Sequence, residues 1–488
     1  MSEASINLGD LPITWALTNL GSVVNYGGTN KAEPHEIADG DWVLELEDIE
    51  KDSSRLLQKM TFLQRQSKST KNHFQAGDVL YGKLRPYLNK VLIASEPGYC
   101  TTEILPLKAG PHIDNRYLFY WLKHPAFLKY VEAESHGMNM PRLGTETGKA
   151  APFVLAPRNE QTRIANQLDT LLTRIQACND RFDAIPALLK RFRQTVLIAA
   201  SSGDLTHGWR ESNPATPGAA INEVKLRLDA RRKTHAAKSK SKFKEPVPPD
   251  LTHWRLDVPA PGSIESVSAF AECLDHVRVP VTKDKRATAE RLYPYFGANG
   301  QVDMVDDFLF DDELVMVTED ETFYGRVKPI AYRFSGRCWV NNHAHVLLAG
   351  DRVRADYLCF SLMHYDVQPW LTGTTGRAKL NQGALNALPI AVPPQAEMVE
   401  IVRRVNSMFA LADRIEARCT TAHTQAQRLT PLVLAKAFRG ELVPQDPNDE
   451  PASALLARIA SSNTAVVGKI KRKVPVALKK LAQAAINL

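Results

Sequence analysis

Side chains that can hold phosphates and read base edges gather in four short stretches of this sequence. Lys83, Arg85, Tyr87, Asn89 and Lys90 fall in residues 82–90, GKLRPYLNK, and Asn139 and Arg142 fall in residues 138–142, MNMPR. Arg326 and Lys328 sit in residues 325–329, GRVKP, and Thr374, Thr375, Arg377, Lys379 and Asn381 in residues 373–381, GTTGRAKLN. Arg, Lys, Thr and Asn on loops donate to phosphate oxygens and to the edges of bases. Any one of them is ordinarily a solvated surface group. The signal is that two separate regions place basic loops at matching positions.

Catalytic signatures are weak by comparison. Residues 144–150, GTETGKA, resemble a phosphate loop but are one residue short and lack the Ser/Thr that would hold magnesium. Residues 392–395, VPPQ, lack the polar group and the aromatic that a base-methylating pocket needs. His343 and His345 could share one strand face, but a metal needs a third ligand and none is close in sequence. A strand histidine satisfied by hydrogen bonds is the favoured reading. The acidic run 303–321 reads as solvated turns around Leu314-Val-Met-Val317 rather than a nuclease site. No catalytic residue and no metal ligand is expected.

The elements that must position the loops come from an internal repeat. Residue i matches residue i + 237 without a gap from Pro152 to Leu205, as in Glu160 with Glu397 and Arg191 with Arg428. Both copies read as long helices. The first seam is Ile164, Leu168, Leu171, Ile175, Cys178, Phe182, Ile185, Leu189, Phe192, Val196 and Ala199. The second is Ile401, Val405, Met408, Ala412, Ile415, Cys419, Ala422, Ala426, Leu429 and Val433. Alternating steps of four and three are coiled-coil spacing. Helices of 40–45 residues would be about 60–67 Å long. Gly203 and Gly440 sit where they should stop. Pro186 and Pro431 should kink or restart them. The small Ala422 and Ala426 are expected opposite the bulky Leu189 and Phe182, respectively.

A mixed segment precedes each helix. The first predicts strands at 78–81, 91–94 and 102–107, then a helix at 115–122. The second repeats that order with strands at 314–317, 329–334 and 345–348 and a helix at 355–362. Tyr117-Leu-Phe-Tyr120 corresponds to Tyr357-Leu-Cys-Phe360, and residues 82–86 correspond to 325–329. The fold class is α+β: two tandem globular α/β domains separated by two long helices that pair as an antiparallel coiled coil.

The chain has 488 residues and a net charge of +7, which invites a nucleic-acid reading. Residues 231–244 and 463–488 contribute +13 of that charge and leave −6 for the rest. Residues 1–157 carry −2 and residues 251–394 carry −4, so net charge does not make the case. No apolar run approaches the ~20 residues of a membrane span. The start has no basic n-region or apolar h-region of an export signal. The six cysteines are scattered and form no CxxC, which fits a reducing cytoplasm. The expected organisation is 1–157 domain, 158–210 helix, 211–250 flexible basic linker, 251–394 domain, 395–445 helix and 446–488 basic tail.

Residues 188–197, LLKRFRQTVL, and 437–451, AFRGELVPQDPNDEP, carry a family resemblance. Residues 77–86, GDVLYGKLRP, and 157–161, PRNEQ, add to it. To about residue 460 the chain resembles the specificity subunit of a type I restriction–modification system. The resemblance implies two target-recognition domains, each reading half of a split site on double-stranded DNA. It implies a helical spacer that fixes their separation and partner helices carried by the seams. It implies no catalysis in this subunit and no cofactor of its own. Two modification subunits would methylate adenine from S-adenosylmethionine, and restriction subunits would add ATP- and Mg-dependent translocation and cleavage. A self-sufficient enzyme or a coiled-coil scaffold without DNA affinity are the competing classes.

Overall fold

A computed structural model describes residues 11–461, apart from 138, 239, 283, 285, 287–291, 321–322 and 374–377. Thr374, Thr375, Arg377 and the basic residues Lys469 to Lys480 therefore lie outside the described residues. The chain divides into two compact units. Unit 1 runs to Phe182 and resumes at Thr421, and unit 2 runs from Asp183 to Thr420.

In unit 1 the strands are β1 (Ala16–Asn19), β2 (Asn30–Ala32), β3 (Val43–Leu44), β4 (Lys71–Phe74), β5 (Val79–Gly82), β6 (Val91–Ile93), β7 (Gly98–Thr101), β8 (Ile104–Leu107) and β9 (Pro152–Leu155). They form a four-stranded sheet β2-β4-β7-β3, a three-stranded sheet β6-β5-β8 and the antiparallel pair β1-β9. Helices α1 (Asn115–Leu122), α2 (Pro125–Glu134) and α3 (Thr145–Ala150) follow β8, and α4 (Arg158–Ser202) follows β9. Asp114 caps α1 by accepting from the Arg116 and Tyr117 amides. The main core joins Trp15, Tyr117, Trp121 and Phe153 to Ile164 and Leu168 of α4, to Leu434 of the second long helix and to Phe438 in the turn that follows it.

Unit 2 repeats the plan with a larger sheet. Its strands are β10 (Ser263–Ser266), β11 (Glu272–Cys273), β12 (Tyr293–Gly297), β13 (Gly300–Val305), β14 (Phe310–Thr318), β15 (Ala331–Val340), β16 (Ala344–Leu348) and β17 (Pro389–Val392). Six of them order as β11-β16-β14-β15-β12-β13, and β10 pairs with β17 as β1 does with β9. Its helices are α5 (Ala219–Lys238), α6 (Arg352–Leu362), α7 (Gln382–Ala387) and α8 (Gln395–Ala437). The acidic run differs from expectation here. Asp311 to Glu313 belong to β14, and their carboxylates pair across the ladder with Arg337 and Arg333 of β15.

The long helices are antiparallel within each unit. In unit 1 Phe182 stacks on His423 with ring centroids 5.6 Å apart. In unit 2 Arg193 reaches Asp413 at 2.7 Å and Glu416 at 2.8 Å, and Arg404 donates to the Leu205 carbonyl at 2.8 Å. One residue number falls as the other rises. That register sets Phe182 on His423, next to Ala422 in sequence, whereas the sequence suggested Ala426 opposite it. Ile164, Leu168, Leu189, Ile401 and Val405 are buried, while Leu171, Ile175, Phe182 and Met408 are half-buried. Phe192, Ile415 and Leu429 are 38–45% exposed, since two helices alone bury only one stripe of each other. Pro186 and Pro431 lie inside unbroken helices of 45 and 43 residues. Each removes one bond from a long ladder, and neither restarts its helix as the sequence suggested.

Each helix ends as expected at a left-handed glycine, Gly203 with φ 79° and Gly440 with φ 75°. A Cβ on Gly203 would fall 2.6 Å from Pro259, and one on Gly440 2.3 Å from Pro12. The turn therefore lies against the start of a domain, before β10 in unit 2 and before β1 in unit 1. The chain then returns to the first turn of the other helix. In unit 2 Thr206 donates to buried Glu397 at 2.7 Å and Arg210 pairs with the same oxygen. In unit 1 Glu160 accepts from Trp15 Nε1 at 2.9 Å and from Gln445.

One sequence expectation needs correction. The flexible linker contains α5, whose Ala220 and Val224 are buried and whose Arg231 donates to the Ser268 carbonyl at 3.0 Å. Its Ala, Leu, Lys and Arg are good helix formers, so charge was the wrong guide. The start of the segment 446–488 is helical over 452–461, where the sequence reads as a short amphipathic helix at 454–459. Ala452, Leu455 and Ile459 join the unit 1 core, Ala452 donates to the Thr14 carbonyl at 2.8 Å, and Asp449 accepts from Arg163 at 2.6 Å.

The unit 1 core holds a neutral imidazole. His124 is 5% exposed and lies flat on Trp121, 5.1 Å between centroids. Its Nδ1 accepts from the Ala126 amide at 3.1 Å. Burial, assisted by the charge of Arg439, pushes its pKa down to about 4. Unfolded histidine titrates near 6.5, so between those values the unfolded chain binds the extra proton. The stability this site contributes is complete above about pH 6.5 and falls as pH drops towards 4, by up to about 3 kcal/mol. Hydrogen exchange of α1 amides at pH 7 and pH 4.5 should show this loss. His124→Asn, which keeps a capping acceptor but does not titrate, should show a smaller one.

Candidate nucleic-acid interface

The strand that carries the first basic loop ends at Gly82, and the backbone then binds on two sides. The Lys83 amide donates to the Glu103 carbonyl at 2.9 Å, and the Leu143 amide donates to the Lys83 carbonyl at 3.0 Å. Leu84 bridges Arg142, and the Arg85 amide donates to the Pro141 carbonyl at 2.7 Å. Residues 82–90 and 139–142 are thus brought together, although some fifty residues separate them in sequence.

Unit 2 builds the same junction at the end of β14. The Glu319 amide donates to the His343 carbonyl at 3.0 Å, and the Leu380 amide donates to the Glu319 carbonyl at 2.9 Å. Asp320 bridges Lys379. Leu143 and Leu380 are related by the 237-residue repeat, as are Arg142 and Lys379. Lys83-Leu84 therefore corresponds to Glu319-Asp320. Residues 82–86 and 325–329 occupy the same loop, between β5 and β6 and between β14 and β15, but not the same residue positions. The sequence match identified the loop and misplaced the register inside it.

The side chains at these junctions differ in how committed they are. Arg142 pairs with Glu103 at 3.2 Å and Lys379 with Asp320 at 3.1 Å, both cations half-exposed. Arg85 is exposed and has no side-chain partner among the described residues. It also holds φ at 47°, before Pro86. A β-carbon disfavours that left-handed conformation, and the following proline restricts it further. Such a residue costs about 1–3 kcal/mol and persists only where its surroundings enforce it, most often at functional loops. Asn89 shares the conformation at φ 48°, which asparagine tolerates. Tyr87 is 50% exposed, Lys83 is half-buried and Lys90 donates inward to the Leu46 carbonyl at 2.8 Å. Asn139 and Lys328 are exposed.

Arg326 and Asn381 serve the fold instead. Arg326 donates to Asn299 Oδ1 at 2.7 Å, Thr318 Oγ1 at 3.2 Å and the carbonyls of Lys328 and Pro329. Asn381 Oδ1 caps α7 by accepting from the Ala384 amide at 2.9 Å. The phosphate-loop lookalike also has a packing role. A Cβ on Gly148 would strike the Tyr26 ring at 2.2 Å, so glycine there admits an aromatic ring.

A buried polar cluster supports the unit 2 junction from below. His345, 1% exposed, meets Asp275 through Nδ1 and the Leu380 carbonyl through Nε2 at 2.7 Å. Arg278 lies 3.2 Å from Asp275 and 2.7 Å from Glu319. Burial works against the Asp275 carboxylate, but the hydrogen bond and charge of His345, with Arg278, hold its pKa below the usual range. Cys273, Asp275 and His345 offer three ligand atoms within 4.8 Å of one another. The donor set nevertheless fits a metal poorly. Arg278 already supplies the positive charge, and both imidazole nitrogens face protein acceptors. The cluster instead fixes the backbone at Leu380, next to Lys379. Sequence reading missed Asp275, Arg278, Glu319 and Glu103, because acids and arginines of this kind carry no local motif.

The family model described as "Type I restriction modification DNA specificity domain" matches residues 12–186 and 275–420. The chain is 29% identical over 369 residues to the EcoDI type I restriction enzyme specificity subunit of Escherichia coli, covering 72% of this chain and 77% of that protein. It is 25% identical over 375 residues to the EcoKI specificity subunit of Escherichia coli strain K12, covering 72% and 73%. Among solved structures, a chain from a study titled for complex assembly of the type I R-M system superposes with TM-score 0.60 at 15% identity, over 89% of this chain and all of that one. The HsdS subunit of Thermoanaerobacter tengcongensis superposes with TM-score 0.50 at 14% identity, over 90% of this chain and all of that one. With two-thirds of its length matched by the family model, the first part of each long helix included, the chain belongs to the family of type I restriction–modification specificity subunits.

Proposed function

We propose that the chain is the DNA-reading subunit of a type I restriction–modification complex and that each unit reads one half of an asymmetric, bipartite site. The observation that carries this is the repeated junction: a basic loop held at a strand end by the same backbone bonds in both units. The side chains there differ, Lys83-Leu84 against Glu319-Asp320, so the two half-sites differ. Lys83, Arg85, Tyr87, Asn139 and Arg142 face DNA from unit 1. Lys328 and Lys379 do so from unit 2, and Thr374, Thr375 and Arg377, which lie outside the described residues, belong to the same basic stretch of sequence. Residues 1–157 and 251–394 are the reading modules. Adenine methylation, with S-adenosylmethionine, and ATP- and Mg-dependent cleavage belong to the modification and restriction subunits, in the cytoplasm. Among the described residues no helix is long and apolar enough to cross a membrane. The modules are net acidic, so the subunit alone should bind DNA weakly and gain affinity from its partners.

Methylome sequencing of cells carrying the complete operon should reveal methyladenine in a split motif with a fixed gap. A continuous motif, or none, would refute the reading. Exchanging residues 1–150 for those of a homologue should change one half-site only; a change in both would end the modular account.

Arg85→Ala should weaken binding of the complex to its site about tenfold and lower the slope of log K against log salt by about 1. Arg326→Ala should instead lower the thermal stability of unit 2, because its donors are spent on Asn299, Thr318 and two carbonyls. A fluorescence-anisotropy salt titration, run beside thermal melts, separates these effects.

A further inference from the structure

The repeat shows a place where the two units are built alike and filled differently. Residues 117–124, YLFYWLKH, align with 357–364, YLCFSLMH, and residues 433–442, VLAKAFRGEL, with 196–205, VLIAASSGDL. Tyr117 and Tyr357 make the same bond, to the carbonyls of Val154 and Ala391 at 2.9 and 2.7 Å. In unit 1 the Trp121 and Phe438 rings pack 5.1 Å apart, both fully buried, with His124 against them. In unit 2 the matching residues are Ser361, Ser201 and His364. Tyr365 takes over one duty of Trp121: its hydroxyl bonds the Pro389 carbonyl at 3.0 Å, as Trp121 Nε1 bonds that of Pro152 at 2.8 Å. At the Phe438 position unit 2 has only the Ser201 side chain.

A cavity of about 580 Å³ lies there, bounded by Leu197, Ser201, Trp254, Phe360, Ser361 and His364. That volume is in the range of ordinary binding sites. Its rim carries Ile198, 63% exposed, and Leu256, 37% exposed. Trp254 Nε1 is enclosed and has no hydrogen-bond partner among the described residues.

We propose that this cavity is the socket for an aromatic side chain, phenylalanine or tryptophan, of a partner protein subunit. The filled counterpart states the chemistry: in unit 1 the chain supplies its own phenyl and indole between the same two helices. The exposed apolar rim favours a protein over a free small molecule, because a small ring would leave Ile198 and Leu256 wet. The unpaired Trp254 N–H is a donor for a backbone carbonyl of the incoming segment. Buried aromatic anchors in pockets carry much of the energy of protein interfaces. Taking the modification subunit as the partner rests on the function proposed above.

The test uses the full-length chain. N-acetyl-tryptophanamide should give saturation-transfer NMR signals with the wild type, and Ser201→Phe, which restores the unit 1 residue, should abolish them. When co-purified with the modification subunits, Ser201→Phe and the rim variant Leu256→Glu should each recover them at about tenfold lower yield. Leu256→Glu leaves the core intact, so it remains informative if Ser201→Phe folds poorly. No binding of the amide by the wild type overturns the socket. Binding of the amide with unchanged assembly of both variants overturns the assignment to that subunit. A wild-type complex that forms but methylates no bipartite motif defeats the functional reading alone.

Discussion

A buried carboxylate at the first turn of each long helix closes the unit around it. Glu160 opens α4 and Glu397 opens α8, and the repeat makes them counterparts. Each is satisfied by chain arriving from the end of the other helix: Gln445 for Glu160, and Thr206 with Arg210 for Glu397. A carboxylate also suits the positive end of a helix. Left without these donors it would be a buried, unpaired charge, among the most destabilising features a fold can contain. The remaining closure follows from that demand. The glycine turns must lie against Pro12 and Pro259 for the chain to return, and residues 446–461 must join unit 1 although they follow the whole of unit 2 in sequence.

This closure explains why each compact unit is discontinuous or internal in sequence. A domain boundary drawn where composition changes, at 157 or 394, separates strands from the helix that completes their core. Ile164 and Leu168 are core residues of unit 1, and Ile401 and Val405 are core residues of unit 2. A helical seam in this protein is therefore partly a domain core. Burial along α4 is complete near its start and again around Val196–Leu197, where it meets domain side chains, and weakest in the stretch where only the other helix is present.

Much of this was legible in the sequence. The 237-residue register, the 4–3 spacing and the stopping glycines depend on local pattern, and local pattern survives in single side chains. The paired basic loops were legible as composition. What could not be read is whatever long-range contact decides. Arg326 looks like a phosphate ligand until Asn299 and Thr318 take its donors. Asn381 looks like a base reader until α7 begins beside it. His345 was correctly expected to be a satisfied strand histidine, but its partners, Asp275 and the Leu380 carbonyl, lie 70 and 35 residues away. Residues 219–238 were misread because their charge concealed their helix propensity.

The arrangement at the loops bears on how an acidic domain can favour one DNA sequence. Arg142 and Lys379 are already paired, with Glu103 and Asp320. On the function proposed above, a phosphate or base would have to displace a carboxylate to reach either cation, so a poorly matched contact would gain little. Solvent-exposed pairs of this kind contribute about 0–1 kcal/mol to stability, which keeps the exchange inexpensive where geometry is right. Unpaired cations would bind any duplex, because phosphate attraction is independent of sequence. The backbone bonds at Lys83 and Glu319 hold the loops in register whatever their side chains are. Side chains can then differ without loss of the fold, as Lys83-Leu84 and Glu319-Asp320 do.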